Sequence, residues 1–301
     1  MTRRSLAAAA VLVLAAAACT TTRIPHAQPG QLTVVATTTQ MQDLVRNVGG
    51  RDVHMVGILK PNVDPHDFEP TPSTAIALSG AQLVVESGAG LDRWTAGLVS
   101  NSMPGTPIWV ASAGLPLRGD DPHWWFDPTL FQRAATDLGD RLARLDPAHA
   151  SAYRARARGY AAQIRAMDAA NRRLIATVPP AKRLLVTNHD AFGYFAAHYR
   201  IRVVGSVIPS MSTEAEASAS DVASLISRIQ AQHVKAIFTE SSLSPKLEQQ
   251  IASEAGVKVY ANLYGDTLGP AGSPGGTYIG MERWDMRAMV GGFLGRPPPG
   301  A

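Results

Sequence analysis

The sequence predicts an α/β protein of two lobes, each with a central, mainly parallel sheet flanked by helices, joined by one long rigid helix. Three observations support this fold class. Short apolar runs typical of buried strands alternate with helical patterns over residues 32–146. One continuous helical pattern then occupies residues 147–178, and the alternation resumes over residues 179–301. We assign these three ranges to an N-terminal lobe, a linker helix and a C-terminal lobe, with lengths suited to modest domains.

The N-terminal lobe is predicted from apolar runs that each lead into a helix or a loop. Residues 38–47 have a helical pattern that is closed by Gly49-Gly50. Ser73-Thr74 offers an N-cap for a helix over residues 75–79, and a further helix is predicted over residues 130–145. The predicted strands of this lobe cover residues 32–37, 54–59, 83–86 and 108–110.

The linker helix is predicted from side chains that recur at alternating steps of four and three residues. This spacing places them on one face of a helix, while arginines occupy the other faces. A helix of this length spans about 45 Å, so we expect a stiff connection that limits relative motion of the lobes to a small tilt. The stripe consists of Tyr153, Ala157, Tyr160, Ile164, Met167, Asn171 and Leu174.

The C-terminal lobe repeats the strand and helix alternation. A loop rich in glycine and proline over residues 265–276 lies within it, because periodic structure resumes afterwards. The predicted strands cover residues 183–187, 201–207, 235–239 and 257–260, and the predicted helices cover residues 219–230 and 281–293.

The N-terminus has the pattern of a bacterial secretory signal over residues 1–18. Arg3 and Arg4 precede an apolar run that is too short for a comfortable membrane-spanning helix. The run ends in Ala16-Ala17-Ala18-Cys19, which is similar to a lipobox. We therefore predict that Cys19 is lipidated, that residues 19–31 form a tether, and that the protein is anchored to the cell membrane on its extracytoplasmic side. An ordinary secretion signal with an incidental cysteine is the alternative.

Composition excludes several classes of function. Cys19 is the only cysteine, so the mature chain has no internal disulfide and no thiolate for a metal site or nucleophile away from its N-terminus. The formal net charge of +4 falls to +2 when the two arginines of the signal are removed. This small excess gives no argument for nucleic acid as a partner. We expect a monomer that binds no nucleic acid.

Side chains that bind metals follow predicted strands in both lobes. His66, His189, Glu240 and Asp266 come just after strands, and His123 lies in the loop that enters the helix pair. Ligands of open parallel sheets bind beyond the carboxyl ends of the strands, so these residues can meet between the lobes. Imidazole suits zinc, copper, iron and nickel. Three histidines and an aspartate would complete a four-ligand shell without a position for reactive water, which favours holding a metal over using it.

Each of these residues also has an ordinary structural role as its alternative. A single histidine after a strand is usually a surface or hydrogen-bonded residue, and Asp266 beside Gly265 has the alternative role of a turn residue. Glu240 either caps a helix or orients a ligand, and we favour orientation of a ligand over direct contact with the metal. Tether, core or surface roles are assigned to the remaining histidines, His26, His54, His149, His198 and His233.

Five motifs occur in a fixed order along residues 32–293. They are Val63-Asp64-Pro65-His66 followed by Glu69-Pro70-Thr71-Pro72-Ser73, then Gly90-Leu91-Asp92-Arg93-Trp94, Asp121-Pro122-His123 with Asp127-Pro128, His189 to Tyr194, and Asp266-Thr267-Leu268. In combination they resemble the metal-binding lipoproteins of bacterial ABC importers, the zinc- and manganese-specific cluster A-I of solute-binding proteins. Any one of the motifs alone would be weak evidence, whereas their order is specific.

The resemblance implies two α/β lobes joined by a rigid helix, with one metal ion between them. It implies that His66, His123, His189 and Asp266 bind the ion, that zinc is the metal, and that a membrane permease of an ABC transporter receives it. Such a protein is not an enzyme. Three departures occur. The chain has no long His-rich loop before His123, which leaves manganese open, Arg200 stands where a glycine is usual, and Thr74 replaces a common aspartate.

Two other functions remain as alternatives to a zinc carrier. A manganese carrier of the same family is the first, although manganese prefers more oxygen ligands. A secreted zinc hydrolase with Glu240 as general base is the second. The sequence has no His-Glu-x-x-His motif, and four protein ligands would leave no water position, so hydrolysis is disfavoured.

Overall fold

The N-terminal lobe contains a four-stranded parallel sheet in the order β2-β1-β3-β4. The central strand β1 (Leu32–Ala36) pairs with β2 (Val53–Gly57) on one side and with β3 (Leu83–Glu86) on the other. β3 also pairs with the edge strand β4 (Ile108–Val110). Parallel pairing brings the carboxyl ends of all four strands to one edge of the sheet, where the following loops can form a site.

The computed structural model describes residues 27–102 and 104–296. Within this part of the chain, no helix is long and apolar enough to pass through a membrane. The predicted signal over residues 1–18 and the lipidated Cys19 lie outside the described residues, as does the first part of the tether. Their assignment therefore stays a prediction.

Three helices connect the strands of the first lobe: α1 (Thr39–Gly49), α2 (Pro72–Leu78) and α3 (Trp94–Ser102). The N-cap predicted at Ser73-Thr74 is wrong, because Thr71 caps α2 and exchanges hydrogen bonds with Thr74 in a capping box. Proline is well suited to the first helical position, so Pro72 sets the start of this helix.

Two long helices pack side by side after β4, α4 (Pro128–Leu145) and α5 (Ala150–Ile175). The linker helix is shorter than predicted because residues 147–149 form a separate 3-10 turn. α5 also packs against α1 and against the last helix of the chain, so it is part of the core and not a free-standing connection. The division into lobes at residues 146 and 179 stays a prediction.

The C-terminal lobe has two parallel strand pairs. β5 (Leu184–Thr187) pairs with β6 (Arg202–Ser206), and β7 (Ala236–Glu240) pairs with β8 (Lys258–Leu263). β5 also lies against β7, which brings the carboxyl ends of both pairs together. The helices of this lobe are α6 (Gly193–Tyr199), α7 (Ala219–Ala231), α8 (Lys246–Ala255) and α9 (Tyr278–Phe293). The predicted α/β class, with parallel sheets flanked by helices, is confirmed.

One apolar core continues through both lobes. It extends from Leu32 in β1, through the buried faces of α1, α4 and α5, to Phe293 at the end of α9. The ring of Phe131 stacks on that of Tyr278, with centroids 3.7 Å apart, and the Tyr278 hydroxyl donates to the carbonyl oxygen of Trp125 at 2.8 Å. The lobes are therefore joined by packed aromatic side chains as well as by the chain itself.

Arg200 has a left-handed backbone conformation. It caps the C-terminus of α6 with a φ of 56°, and its amide donates to the carbonyl oxygen of Ala196. An L-residue in this conformation costs about 1–2 kcal/mol, whereas glycine adopts it freely. This conformation explains why glycine is the usual residue at this position.

Candidate metal centre

Four side chains from distant parts of the sequence meet between the lobes. The ligand atoms of His66, His123, His189 and Asp266 all lie within 4.8 Å of one another. Nε2 of His123 is 3.1 Å from Oδ1 of Asp266, while Nε2 of His189 and of His66 are 3.1 Å and 3.5 Å from Oδ2. Zinc bonds of about 2.0–2.1 Å in a tetrahedron place ligand atoms about 3.3 Å apart, so these spacings suit a shared ion.

His66 is positioned by a loop that contacts both lobes. The loop follows β2, and the carboxylate of Asp64 accepts a hydrogen bond from the backbone amide of His66 at 2.9 Å. The other oxygen of Asp64 accepts from the hydroxyl of Thr213 in the second lobe at 2.6 Å. Asp64 therefore fixes the backbone of a candidate ligand and ties its loop across the crevice.

His123 is fully buried, and a carboxylate two residues earlier sets its orientation. Oδ1 of Asp121 accepts from the backbone amide of His123 at 3.0 Å and lies 2.8 Å from Nδ1 of the ring. The contact favours a proton on Nδ1 and leaves the Nε2 lone pair directed at the centre. The ring of Trp125 packs edge-on against the imidazole at 5.4 Å, which keeps water away from it.

His189 has the same arrangement in the second lobe, with a carboxylate from another strand. Oε1 of Glu240, at the end of β7, lies 2.9 Å from Nδ1 of His189, and both side chains are buried. The amide of Glu240 donates to the side chain of Asn188 at 2.6 Å. Glu240 therefore contacts the imidazole nitrogen that faces away from the centre. The orienting role of Glu240 stays a prediction.

The loop of Asp266 is tied to the opposite lobe by two hydrogen bonds that threonine hydroxyls accept. This loop follows β8, and the amide of Leu268 donates to Oγ1 of Thr39 at 2.8 Å. Oγ1 of Thr267 accepts from the amide of Asn62 at 3.1 Å. Sequence reasoning missed Thr39 and Thr267, because a threonine has no motif that indicates a partner more than 200 residues away.

Gly265 is a second positioning residue that the sequence did not indicate. A Cβ atom at this position would lie 1.7 Å from Oε2 of Glu240, so a larger residue would force that carboxylate to move. Glycine therefore lets the Asp266 loop pass beside Glu240 while Oε1 of Glu240 stays on His189. The two candidate ligands of the second lobe depend on each other through this close approach.

Five ligand atoms of the cluster are buried without a hydrogen bond. They are Nε2 of His66, His123 and His189 and both carboxylate oxygens of Asp266. Burial of polar atoms without partners costs about 1–3 kcal/mol each, so their convergence on one point needs an explanation. Three imidazole nitrogens and a carboxylate are the donor set of a borderline divalent metal, and such an ion satisfies all five atoms at once.

The carboxylates around the cluster stabilise protons on the histidines that would bind a metal ion. Burial lowers the pKa of His189, but the carboxylates of Glu240 and Asp266 outweigh it and hold that pKa well above its usual value. Burial likewise lowers the pKa of His123, and Asp121 and Asp266 raise it above its usual value. Burial raises the pKa of Asp266, but the two imidazoles hold it well below its usual value. A metal cation must therefore displace protons from this site.

A crevice of about 600 Å³ leads from the surface to His66. Its walls include Phe68 and Trp94 from the first lobe and Met211 and Glu214 from the second. The side chain of His66 is 8% exposed, whereas those of the other three candidate ligands are fully buried. The crevice is a path by which an ion can reach the cluster from the His66 side.

The other histidines of the described chain lie outside the cluster. His198 is held between Asp168, at 2.8 Å from Nε2, and Asp127, at 3.3 Å from Nδ1. His149 contacts Asp146 at 2.7 Å. His54 is a half-buried residue of β2 and His233 is exposed. His26 lies outside the described residues.

A protein-family model matches most of the chain. The model is described as ZnuA, zinc-uptake complex component A, periplasmic, and it matches residues 34–292. The chain belongs to the ZnuA family. The resemblance predicted from the motif order is therefore confirmed.

Curated relatives of this ZnuA-family protein differ in the metal that they are named for. The manganese-binding lipoprotein MntA of Bacillus subtilis (strain 168) is 31% identical over 277 residues, covering 86% of this chain and 89% of MntA. The zinc-binding protein TroA of Treponema pallidum (strain Nichols) is 33% identical over 278 residues, covering 88% and 89%. The iron-binding protein YfeA of Yersinia pestis is 30% identical over 269 residues, covering 86% of each chain.

Solved structures show the same fold. The periplasmic zinc-binding protein TroA from Treponema pallidum superposes with a TM-score of 0.81 at 30% identity. The alignment covers 88% of this chain and 99% of that chain. The likeness therefore includes both lobes and the helix between them.

Proposed function

We propose that this ZnuA-family protein is an extracytoplasmic carrier that captures one divalent transition metal, most favourably zinc, and delivers it to the permease of an ABC importer. The observation that carries the proposal is the group of five buried ligand atoms on His66, His123, His189 and Asp266 that accept or donate no hydrogen bond within the described residues. The family to which the chain belongs supports the same conclusion. The mechanism is chelation, since binding replaces protons by a cation.

The geometry supports storage of a metal over catalysis by a metal. Four protein ligands saturate a tetrahedral ion, whereas catalytic zinc keeps a position for water or substrate. Glu240 is the candidate general base of a hydrolase. Its Oε1 contacts Nδ1 of His189, on the side of the imidazole that faces away from the metal site. A base in that position orients the imidazole and does not reach a water bound on the Nε2 side.

The donor atoms favour zinc over manganese. Three imidazole nitrogens and one carboxylate suit zinc, whereas manganese prefers oxygen ligands and binds weakly in the divalent series. Manganese is the second candidate, because both oxygens of Asp266 lie within 3.5 Å of a histidine Nε2 and can both contact an ion. The relative MntA, named for manganese, supports this second candidate.

The location is proposed from the N-terminal sequence. Cys19 in its lipobox-like context would carry the lipid, and residues 19–31 would hold the folded lobes near the membrane. Several relatives are named lipoproteins, among them MntA of Bacillus subtilis. We propose a monomer anchored on the extracytoplasmic side, with the permease as its partner.

Metal content and affinity test the proposed function directly. Protein purified without added metal is analysed for its elements, and zinc and manganese are then compared by competition calorimetry. We expect zinc at one ion per chain with the higher affinity. His189→Ala should abolish tight binding, while His54→Ala, which removes a histidine outside the cluster, should leave it unchanged. Equal zinc affinity of wild type and His189→Ala would contradict the proposed site.

A further inference from the structure

The exposed side of α5 carries charge of one sign. Its 26 residues include six arginines and a single acidic residue, Asp168, which is buried. At 100° per residue, five of the arginines fall within about 100° of the helix circumference, on the side away from the buried stripe. Exposed alanines occupy the space between them. We call these five residues the basic face: Arg154, Arg158, Arg165, Arg172 and Arg173.

Most of this charge is not neutralised within the protein. Arg158, Arg165 and Arg173 have no ion-pair partner among the residues that the structure describes. Arg154 pairs with Asp140 at 2.7 Å and Arg172 with Asp168 at 3.1 Å, but their side chains stay 46% and 51% exposed. The pair of Arg154 with Asp140 is exposed on both sides and therefore weak, so the guanidinium groups of Arg154, Arg158, Arg165 and Arg173 remain available to an external anion. Arg172 is held by the buried Asp168 and contacts His198.

The start of the folded chain lies at the N-terminal end of the same helix. The side chain of Gln31 donates to the carbonyl oxygen of Arg51 at 2.8 Å. The turn that contains Arg51 is bound to α5 through Arg156, which donates to Val48 and Gly49 and pairs with Asp52 at 2.8 Å. Gln31 lies twelve positions after Cys19, a length that spans at most about 40 Å. The basic face lies within that reach, since Arg154 and Arg173 are about 29 Å apart along the helix.

We propose that the basic face binds the anionic lipid headgroups of the membrane to which the protein is anchored, and so holds α5 flat on the bilayer surface. The proposal rests on the proposed lipid anchor for the orientation of the chain. The electrostatic contact itself is a property of the folded protein. An anionic membrane surface attracts basic side chains within about one Debye length, with a gain of about fivefold in binding for each arginine.

The composition of the face favours lipid over nucleic acid. Single strands are bound through aromatic side chains on which bases stack. The aromatic residues of α5, Tyr153 and Tyr160, are buried beneath the helix, and the exposed side carries arginine, alanine and other small or polar residues. A row of guanidinium groups without stacking partners suits a surface of phosphates that has no bases to bind.

Vesicle flotation tests the proposal on the mature chain, residues 19–301, with Cys19→Ser so that no lipid is attached. The probes are phosphatidylcholine vesicles with and without 30% phosphatidylglycerol, at low and at physiological salt. We expect binding to the anionic vesicles alone and a loss of binding as salt rises. Arg158→Gln, Arg165→Gln and Arg173→Gln together should lower the partition coefficient about 100-fold.

A control variant removes the same charge from other surfaces. Lys258→Gln, Arg202→Gln and Lys246→Gln change exposed residues outside α5, and together they should change the partition coefficient less than fivefold. Equal losses in the two triple variants would overturn the proposal, because net charge alone would then explain binding. Absence of binding to anionic vesicles would overturn it as well. Zinc affinity of the α5 variant should equal that of wild type, so failure here is distinguishable from failure of the proposed metal function.

A cysteine scan tests the orientation. In the Cys19→Ser background the chain has no other cysteine, so one label can be placed at Ala162→Cys within the basic face or at Gln249→Cys on exposed α8. We expect anionic vesicles to shield the label at position 162 from an aqueous quencher and to leave position 249 accessible. Shielding at 249 without shielding at 162 would show that another surface contacts the bilayer.

Discussion

Replacement of Glu240 tests how the candidate centre is built. Oε1 of Glu240 lies 2.9 Å from Nδ1 of His189, and neither side chain is exposed. Partners of this kind contribute about 10- to 100-fold to metal affinity. Glu240→Gln keeps an oxygen acceptor and loses the charge, so we expect a loss of about 10-fold, equal to about 1.4 kcal/mol. Glu240→Ala removes the acceptor as well, and we expect a loss of about 100-fold.

The pH dependence gives the same prediction a second measurement. Glu240 is one of the carboxylates that raise the pKa of His189 above its usual value. In wild type, zinc affinity should therefore keep rising as pH increases through that raised pKa, because the proton is held until then. Without the charge, His189 loses its proton at a lower pH, and the affinity of Glu240→Gln should level off earlier. The ratio of the zinc affinity of wild type to that of Glu240→Gln should thus be largest at high pH.

Competition calorimetry with a zinc chelator at pH 6, 7 and 8 measures both effects. Glu86→Gln is the matched control, because Glu86 is a buried carboxylate of β3 that lies outside the cluster. Its zinc affinity should match that of wild type. If Glu240→Gln binds zinc within twofold of wild type at all three pH values, Glu240 does not orient His189 in the way that the structure indicates.

Three further predictions concern stability in the metal-free protein. Arg200→Gly should stabilise by about 1 kcal/mol in urea unfolding, because glycine removes the cost of the left-handed backbone at φ 56°; a loss of stability would contradict this. Tyr160→Phe should destabilise by about 1–3 kcal/mol, since it leaves the buried carboxylate of Asp43 without the hydroxyl at 2.5 Å, and an unchanged urea midpoint would show that this bond contributes nothing. Burial raises the pKa of Glu86 to about 7, so its protonated form stabilises the fold below the unfolded value of 4.5, and this contribution is lost as pH rises through 7. In wild type, the urea midpoint should therefore fall between pH 5 and pH 8, and Glu86→Gln should make this fall smaller. Parallel plots of urea midpoint against pH for variant and wild type would show that Glu86 does not cause the fall.

The residues of the candidate centre could be predicted because each belongs to a local pattern. Prolines precede His66 and His123, and His189 and Asp266 follow apolar strands. Parallel strands then bring their carboxyl ends together, so a local pattern becomes a shared site without knowledge of the detailed packing. The meeting of all four ligand atoms within 4.8 Å agrees with that expectation.

The residues that hold the centre together could not be predicted in the same way. Thr39, Thr213 and Gly265 act through contacts with residues far away in sequence or through space that only the folded chain defines. A hydroxyl or a glycine has many ordinary roles, and none of these is distinguished by sequence spacing. Their contribution becomes visible only when the partner atom is located.

Two features of α5 could not be predicted from the sequence, namely the clustering of its charges and the helices against which it packs. A net charge of +4 does not show that Arg158, Arg165 and Arg173 lie on one face of α5 without an ion-pair partner in the described part of the chain, because a sum over the whole chain hides where charges are located. The periodic stripe predicted a long helix correctly, but it did not show that α5 would be packed on three other helices. An apolar face requires a partner, and periodicity does not identify which element supplies it.

The shared aromatic core constrains how an ion can leave. Separation of Phe131 from Tyr278 would return two large rings to water at a cost of about 2–3 kcal/mol each. The hydroxyl bonds of Thr39 and Thr213, in contrast, contribute about 1 kcal/mol each. We therefore expect an ion to leave by displacement of a few ligand-bearing segments while the molecular outline stays almost constant. The proposed permease would then distinguish full from empty molecules by surface detail at the crevice mouth, not by overall shape.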